Sequence, residues 1–413
     1  MARPLHDDSG SIRPYLTATQ HPFPPGVSMN LRTRTLAAAA ALTATALVAA
    51  GCASSSGGTD ADSTEPIVFG VSGPLTGNQA EYGENWEEGF AIALDEINGA
   101  GGINGREVQI DFQDSQGEAS QATPIAQRFV SDQSVLAVLG DFSSATSMVA
   151  SPIYQRAGLL QLGITNSHPE FTATGDYIFS PSVTQAVEAR VIEDAAHEIG
   201  SNIAVFYLNT DWGNTAFEVL QDQAEQNGDT IVYSSPVEET STDFRPQLVQ
   251  ARDAAPDVVI FYTYYGTTAL LVQQAEQTGL DVPFLAVGSN YSAEFLDLAQ
   301  DAAEGVYVDT TFYPESDDPA VESFVTAYTE EFGHTPNLFA AYAYDGLKQL
   351  AWAAENAETL DREGIRNALR DGTDIPSIIY GTATYNDERR IDRPRFQWLV
   401  VEDGQFVLTD QVG

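Results

Sequence analysis

Residues 67–114 read IVFGVSGPLTGNQAEYGENWEEGFAIALDEINGAGGINGREVQIDFQD, and this stretch decides the fold class. Ile67 to Ser72 is a β-rich apolar run that ends at a glycine–proline turn. Trp86, Phe90, Ala93, Leu94 and Ile97 then fall at i, i+4, i+7, i+8 and i+11, the spacing of a helix with one apolar face. The glycines at 99, 101 and 102 stop that helix, and Glu107 to Asp114 supplies a second strand. Strand, helix and strand in this order make a βαβ unit and predict a parallel sheet covered on both sides.

The alternation continues outward. Helix 119–133 leads to VLAVLG (135–140), and helix 146–157 leads to LLQLG (159–163). A second series follows: IAVFYL (203–208), helix 213–227, TIVYSS, helix 243–254, DVVIFYT, helix 267–279, PFLAVG and helix 292–300. GVYVDTTFYP (305–314) has no helix of its own and reads as a segment crossing between two bodies. Helices 318–332, 337–356 and 361–370, a short strand region and a terminal strand pair close the chain. The predicted fold is α/β, with two Rossmann-like lobes, parallel central sheets and a hinge crossed several times. The lobes are assigned to 66–182 with 314–378 and to 183–313 with 379–413.

The N-terminal part carries an address. From Met29 the chain reads MNLRTRTLAAAAALTATALVAAGC, with Arg32 and Arg34 before an apolar run from Leu36 to Ala50. That run is shorter than the roughly 20 residues a bilayer span needs, and it ends in small residues before Cys52. The pattern resembles a bacterial lipoprotein signal, which implies cleavage before Cys52 and a lipid on its sulfur. Residues 1–51 are read as leader, 29–51 of them as the signal peptide, with Met29 the expected start. Small polar residues from 52 to 65 read as a lipidated flexible tether. The resemblance implies an extracytoplasmic protein held to the outer face of the cell membrane.

Composition excludes several functions. There are 59 acidic against 18 basic residues, a formal net charge of −41, and a single lysine, Lys348. Such a surface repels phosphates, so nucleic acid is not an expected partner. Cys52 is the only cysteine, which leaves the folded part without a disulfide, a thiol nucleophile or a cysteine metal site. His168, His197 and His334 show no metal-ligand spacing, and no phosphate loop or nucleophile elbow is present. No catalytic residue, metal or cofactor is expected.

Ligands of open parallel sheets sit beyond the carboxyl ends of the strands, where helix N-termini offer free N–H groups. The loops there hold Tyr82 in GPLTGNQAEYG, Ser143 and Ser144 in GDFSSATS, and Gly163 and Thr165 in GITNSHPEF. In the second series they hold Trp212 and Tyr264. The two serines either cap the helix they open or cap it and also touch a ligand.

The combination of GPLTG, DEINGAGGINGREV, GDFSSATS, VIFYTYYGTT and AYAYDGLKQLAWA resembles the type I periplasmic binding proteins. Within them it is similar to the leucine/isoleucine/valine-binding branch. The resemblance implies a monomeric substrate-binding subunit that closes on an amino acid and docks on the permease of an ABC importer. It assigns Ser144 to the ligand's carboxylate, Gly163 and Thr165 to its polar head, and Tyr82, Trp212 and Tyr264 to contacts around it. One departure stands out. The branch usually has an acid after the strand matching PFLAVG, where this chain reads GSNY (288–291). Either another acid, such as Asp211 or Asp309, meets an ammonium, or the ligand is an amide, a urea-like compound or a carboxylate. A ligand sensor is the other alternative.

Overall fold

The computed structural model describes residues 65–391 and 396–413; the leader, Cys52 and nearly all of the expected tether lie outside them. The first βαβ series gives β1 (Ile67–Gly73), α1 (Ala80–Gly99), β2 (Val108–Asp114), α2 (Ala119–Ser131), β3 (Val135–Gly140), α3 (Ser144–Ala157), β4 (Leu160–Leu162) and β5 (Ile178–Phe179). Their strands form one parallel sheet in the order β2-β1-β3-β4-β5.

The second series gives α4 (Gln185–Ile199), β6 (Asn202–Leu208), α5 (Asp211–Asn227), β7 (Thr230–Val237), α6 (Arg245–Asp253), β8 (Val258–Tyr262), α7 (Tyr265–Thr278), β9 (Phe284–Ala286), α8 (Ala293–Ala299) and β10 (Val306–Thr310). Then come α9 (Pro319–Phe332), α10 (Leu338–Asn356), α11 (Arg362–Asp371), the hairpin β11 (Ile375–Ser377) and β12 (Gly381–Ala383), and β13 (Gln397–Glu402) with β14 (Gln405–Thr409). The second sheet runs β14-β13-β10-β9-β8-β6-β7, with β13 and β14 antiparallel to their neighbours. Strand order reverses between β1 and β3 in one sheet and between β6 and β8 in the other. Loops part at such reversals and leave a crevice.

Although α10 is late in sequence, it belongs to the first lobe. Most of its residues are buried, and it lies against α1 so closely that a Cβ on Gly89 stands 2.2 Å from the Ala340 carbonyl oxygen. Gly89→Ala is therefore expected to destabilise the fold by about 2 kcal/mol or more, read as a fall in melting temperature. The buried Asp345 of α10 accepts from Ser377 Oγ at 2.5 Å and from the Ile378 N–H at 2.8 Å, which fixes the hairpin that follows.

Three expectations change. The crossing segment at 305–314 is mostly β10, a strand inside the second sheet, because its apolar residues are buried between β9 and β13. Helix α4 was absent from the sequence reading. The return to the second lobe, expected at residue 379, comes after Arg390. Until there the chain stays on the first lobe: Tyr385 packs edge-on against Phe179 at 5.4 Å and donates to Gln349 Oε1, and Arg389 donates to the Thr172 and Ile178 carbonyls.

Candidate ligand-binding site

The carboxyl ends of the two sheets face each other around a cavity of about 80 Å³. A buried water needs roughly 10–15 Å³ on this measure, so the space suits a molecule of several heavy atoms. The first lobe contributes Phe142, Ser143 and Ser144 after β3, and Thr165 and Ser167 after β4. The second contributes Glu188, Trp212, Tyr264, Gly288, Ser289 and Asp309. Leu338, Phe339 and Tyr342 at the start of α10, with Val183 and Phe396, supply apolar wall.

At the first-lobe end the cavity is lined with hydroxyls. Ser143 caps α3, accepting the Thr146 N–H at 3.1 Å and bonding Thr146 Oγ1 at 2.8 Å, so its side chain is committed to the helix. Ser144 Oγ accepts the His168 N–H at 3.2 Å and keeps its own proton to donate. Thr165 Oγ1 donates to the Phe142 carbonyl at 2.8 Å, which leaves its lone pairs for a ligand donor. Behind this end lies Arg390, 4% exposed, whose guanidinium donates to the carbonyls of Asn166, Ser182 and His168.

The opposite end is acidic. Glu188, in the first turn of α4, accepts from Tyr262 Oη at 2.5 Å. Asp309, on β10, is 1% exposed and has no partner on Oδ2. Both carboxylates lie against Gly288: a Cβ there would stand 2.8 Å from Asp309 Oδ1 and 3.7 Å from Glu188 Oε1. Burial pushes the Glu188 carboxyl up to about 7, with the Tyr262 bond and the nearby Gly288 backbone amide pulling the other way. Burial and the neighbouring Glu188 charge raise Asp309 far above the carboxylate range. Among the described residues, no arginine, lysine or histidine lines the cavity to answer them. Two acids from other elements thus stand beside Gly288, the first residue of GSNY, and a side chain at 288 would push into them.

Residues 66–404 match the periplasmic binding protein family. The chain belongs to that family. It is 26% identical to the Leu/Ile/Val-binding protein homolog 1 of Brucella abortus, over 82% of this chain and 92% of that one. It is likewise 26% identical to the leucine-, isoleucine-, valine-, threonine- and alanine-binding protein of Pseudomonas aeruginosa, over 85% and 94% of the two chains. A solved ABC transporter substrate-binding protein from Desulfitobacterium hafniense, in complex with Leu, superposes with a TM-score of 0.72 at 26% identity, covering 84% of this chain and 100% of that one.

This periplasmic binding protein stands closed. Across the seam, Tyr82 Oη donates to the Ser289 carbonyl at 2.9 Å and Tyr265 Oη to the Asn78 carbonyl at 2.9 Å. Trp212 Nε1 donates to Ser167 Oγ at 3.1 Å, and its ring stacks on Tyr264 with centroids 5.2 Å apart. Of the residues named from sequence, Ser143, Ser144, Thr165, Trp212 and Tyr264 line the cavity. Tyr82 and Gly163 do not. Tyr82 is fully buried in the seam, stacked on Phe142 at 4.0 Å, and Gly163 spends its N–H on the Phe179 carbonyl and its carbonyl on the Asn166 N–H. Asp211 is exposed and outside the lining, whereas Asp309 is in it. Tyr82→Phe removes one cross-lobe bond and keeps the stack; it is expected to weaken ligand binding by about 1 kcal/mol, measured by calorimetry.

Proposed function

We propose that this protein is the substrate-binding lipoprotein of an ABC importer and captures an apolar amino acid, such as leucine, isoleucine or valine, by closing two lobes on it. The observation that carries the reading is the cavity's polarity: the Ser144 hydroxyl and the first turn of α3 at one end, two carboxylates at the other, and aromatic and aliphatic wall between. A zwitterion matches that order. Its carboxylate meets Ser144 and the unpaired N–H groups at the α3 N-terminus, its ammonium meets Glu188 and Asp309, and its side chain meets Trp212, Leu338 and Phe339. A plain carboxylate would bring a third negative charge toward the acid pair without a cation, and buried charge of that kind is costly. The names of the relatives above support the same class.

Ligands that bind the closed form better than the open one shift the lobes together, and the closed face is what a permease would read. Cys52 would carry the lipid that keeps the protein beside that permease, on the outer face of the membrane. A thermal-shift screen of the leader-free chain tests the ligand class. Leucine, isoleucine or valine should raise the melting temperature in proportion to concentration over Kd. Stabilisation by 4-methylpentanoate, acetamide or urea, with none by the amino acids, would overturn the reading.

A further inference from the structure

The acid end of the cavity holds one carboxylate more than a zwitterion needs. Glu188 comes from α4 and Asp309 from β10, and both reach the same point beside Gly288, 3.7 Å and 2.8 Å from where its Cβ would stand. Among the described residues, the other polar side chains around them are neutral: the phenols of Tyr262, Tyr264 and Tyr342, the indole of Trp212, and the hydroxyls of Ser289 and Thr311. Asp309 Oδ2 has no partner and is shut off from solvent. Two carboxylates this close to one point, with no cation among the described residues that line the cavity, do not both stay ionised; a proton between them is the cheapest counter-ion.

We propose that ligand capture is an exchange of cations: the unliganded protein holds one proton between Glu188 and Asp309, and the ammonium of the arriving amino acid displaces it into solvent. No covalent bond of the ligand changes. One carboxyl O–H bond breaks, its proton goes to the buffer, and both carboxylates become acceptors for ammonium N–H groups. The raised titration of both acids agrees with this, since burial moves Glu188 to about 7 and Asp309 further still. The sign follows directly. Leucine binding tightens as pH rises toward neutrality, by up to tenfold per unit for one proton released. A ligand without an ammonium needs the pair protonated, so it weakens over the same range.

The inference rests on the amino-acid reading, and calorimetry separates the two. Leucine is titrated into the native leader-free protein at pH 6, in two buffers of different ionisation enthalpy, and the affinity is followed from pH 5.5 to 8.5. The expected result is a heat that changes with buffer by close to one proton released per leucine, with affinity rising with pH. Identical heats in both buffers and a flat affinity would overturn the proton exchange while leaving the amino-acid reading intact. No heat from leucine, isoleucine or valine in any buffer would overturn that reading, and the exchange with it. As a control of sign, 4-methylpentanoate should bind more weakly as pH rises; tighter binding at high pH would also overturn the exchange.

Discussion

Replacing both cavity acids, Glu188→Gln with Asp309→Asn, is expected to weaken leucine binding by about 4 kcal/mol, roughly a thousandfold. The ammonium would then be buried against amides, tyrosines and serines, with no counter-charge among the cavity-lining residues. The same variant is expected to be more stable than the parent when no ligand is present. Both folded-state carboxyls titrate above their ordinary values, 4.5 for the glutamate and 3.8 for the aspartate. A carboxyl raised on folding gives stability that is present in full below its unfolded pKa and is lost as pH rises through the folded one. For Glu188 that window runs from 4.5 to about 7. Melting curves at pH 5 and pH 8 check this. The variant's advantage should be small at pH 5 and larger at pH 8, and a variant that melts lower at pH 8 would contradict the burial argument. A binding site that costs the empty fold stability is the general expectation where charge waits for a partner.

The second large effect belongs to Trp212→Ala, expected to cost about 3 kcal/mol of ligand affinity. Trp212 is 8% exposed, packs against Tyr262 at 4.4 Å and Tyr264 at 5.2 Å, and reaches across to Ser167. Truncation removes part of the cavity wall and one of the bonds that define closure. It leaves the first-lobe core untouched, since its ring neighbours Tyr262 and Tyr264 both belong to the second lobe. Calorimetry with leucine should show the loss, while a thermal melt without ligand should shift much less than the binding energy does. Equal losses in both would mean that Trp212 is only core.

The alternation of strands and helices was legible because each βαβ unit writes two periods in turn, apolar runs for buried strands and a one-sided stripe for helices. Helices α9, α10 and α11 lie within one residue at each end of where that stripe puts them. Loops at strand ends were legible for the same reason, and so Ser144, Thr165, Trp212 and Tyr264 could be named. What the spacing could not convey is which loop faces which. Tyr82 sits in the right loop but turns into the seam, against Phe142 and Phe339. Glu188 was missed together with its helix. Its signal is an acid on the stripe that continues through Ile192, Ala195 and Ile199, a position where solvent-facing acids do not belong. Asp309 was named from sequence beside Asp211, but nothing in the spacing chose between them, since an acid in a strand inside a sheet announces burial but not its company.

The contacts of Arg390 have a consequence for how the molecule comes into being. Its guanidinium holds the carbonyls of Asn166, His168 and Ser182, so the loop that carries Thr165 and Ser167 is finished by a residue more than two hundred positions later. Helix α10, which walls the cavity and backs α1, also arrives late. At roughly 5–20 residues per second, ribosomal synthesis from residue 182 to residue 390 takes on the order of 10–40 s. Throughout that interval the nascent chain has every strand of its first sheet and no completed pocket. A fragment ending at residue 182 would show secondary structure without ligand affinity, and the emerging chain stays without its binding function until it is almost whole.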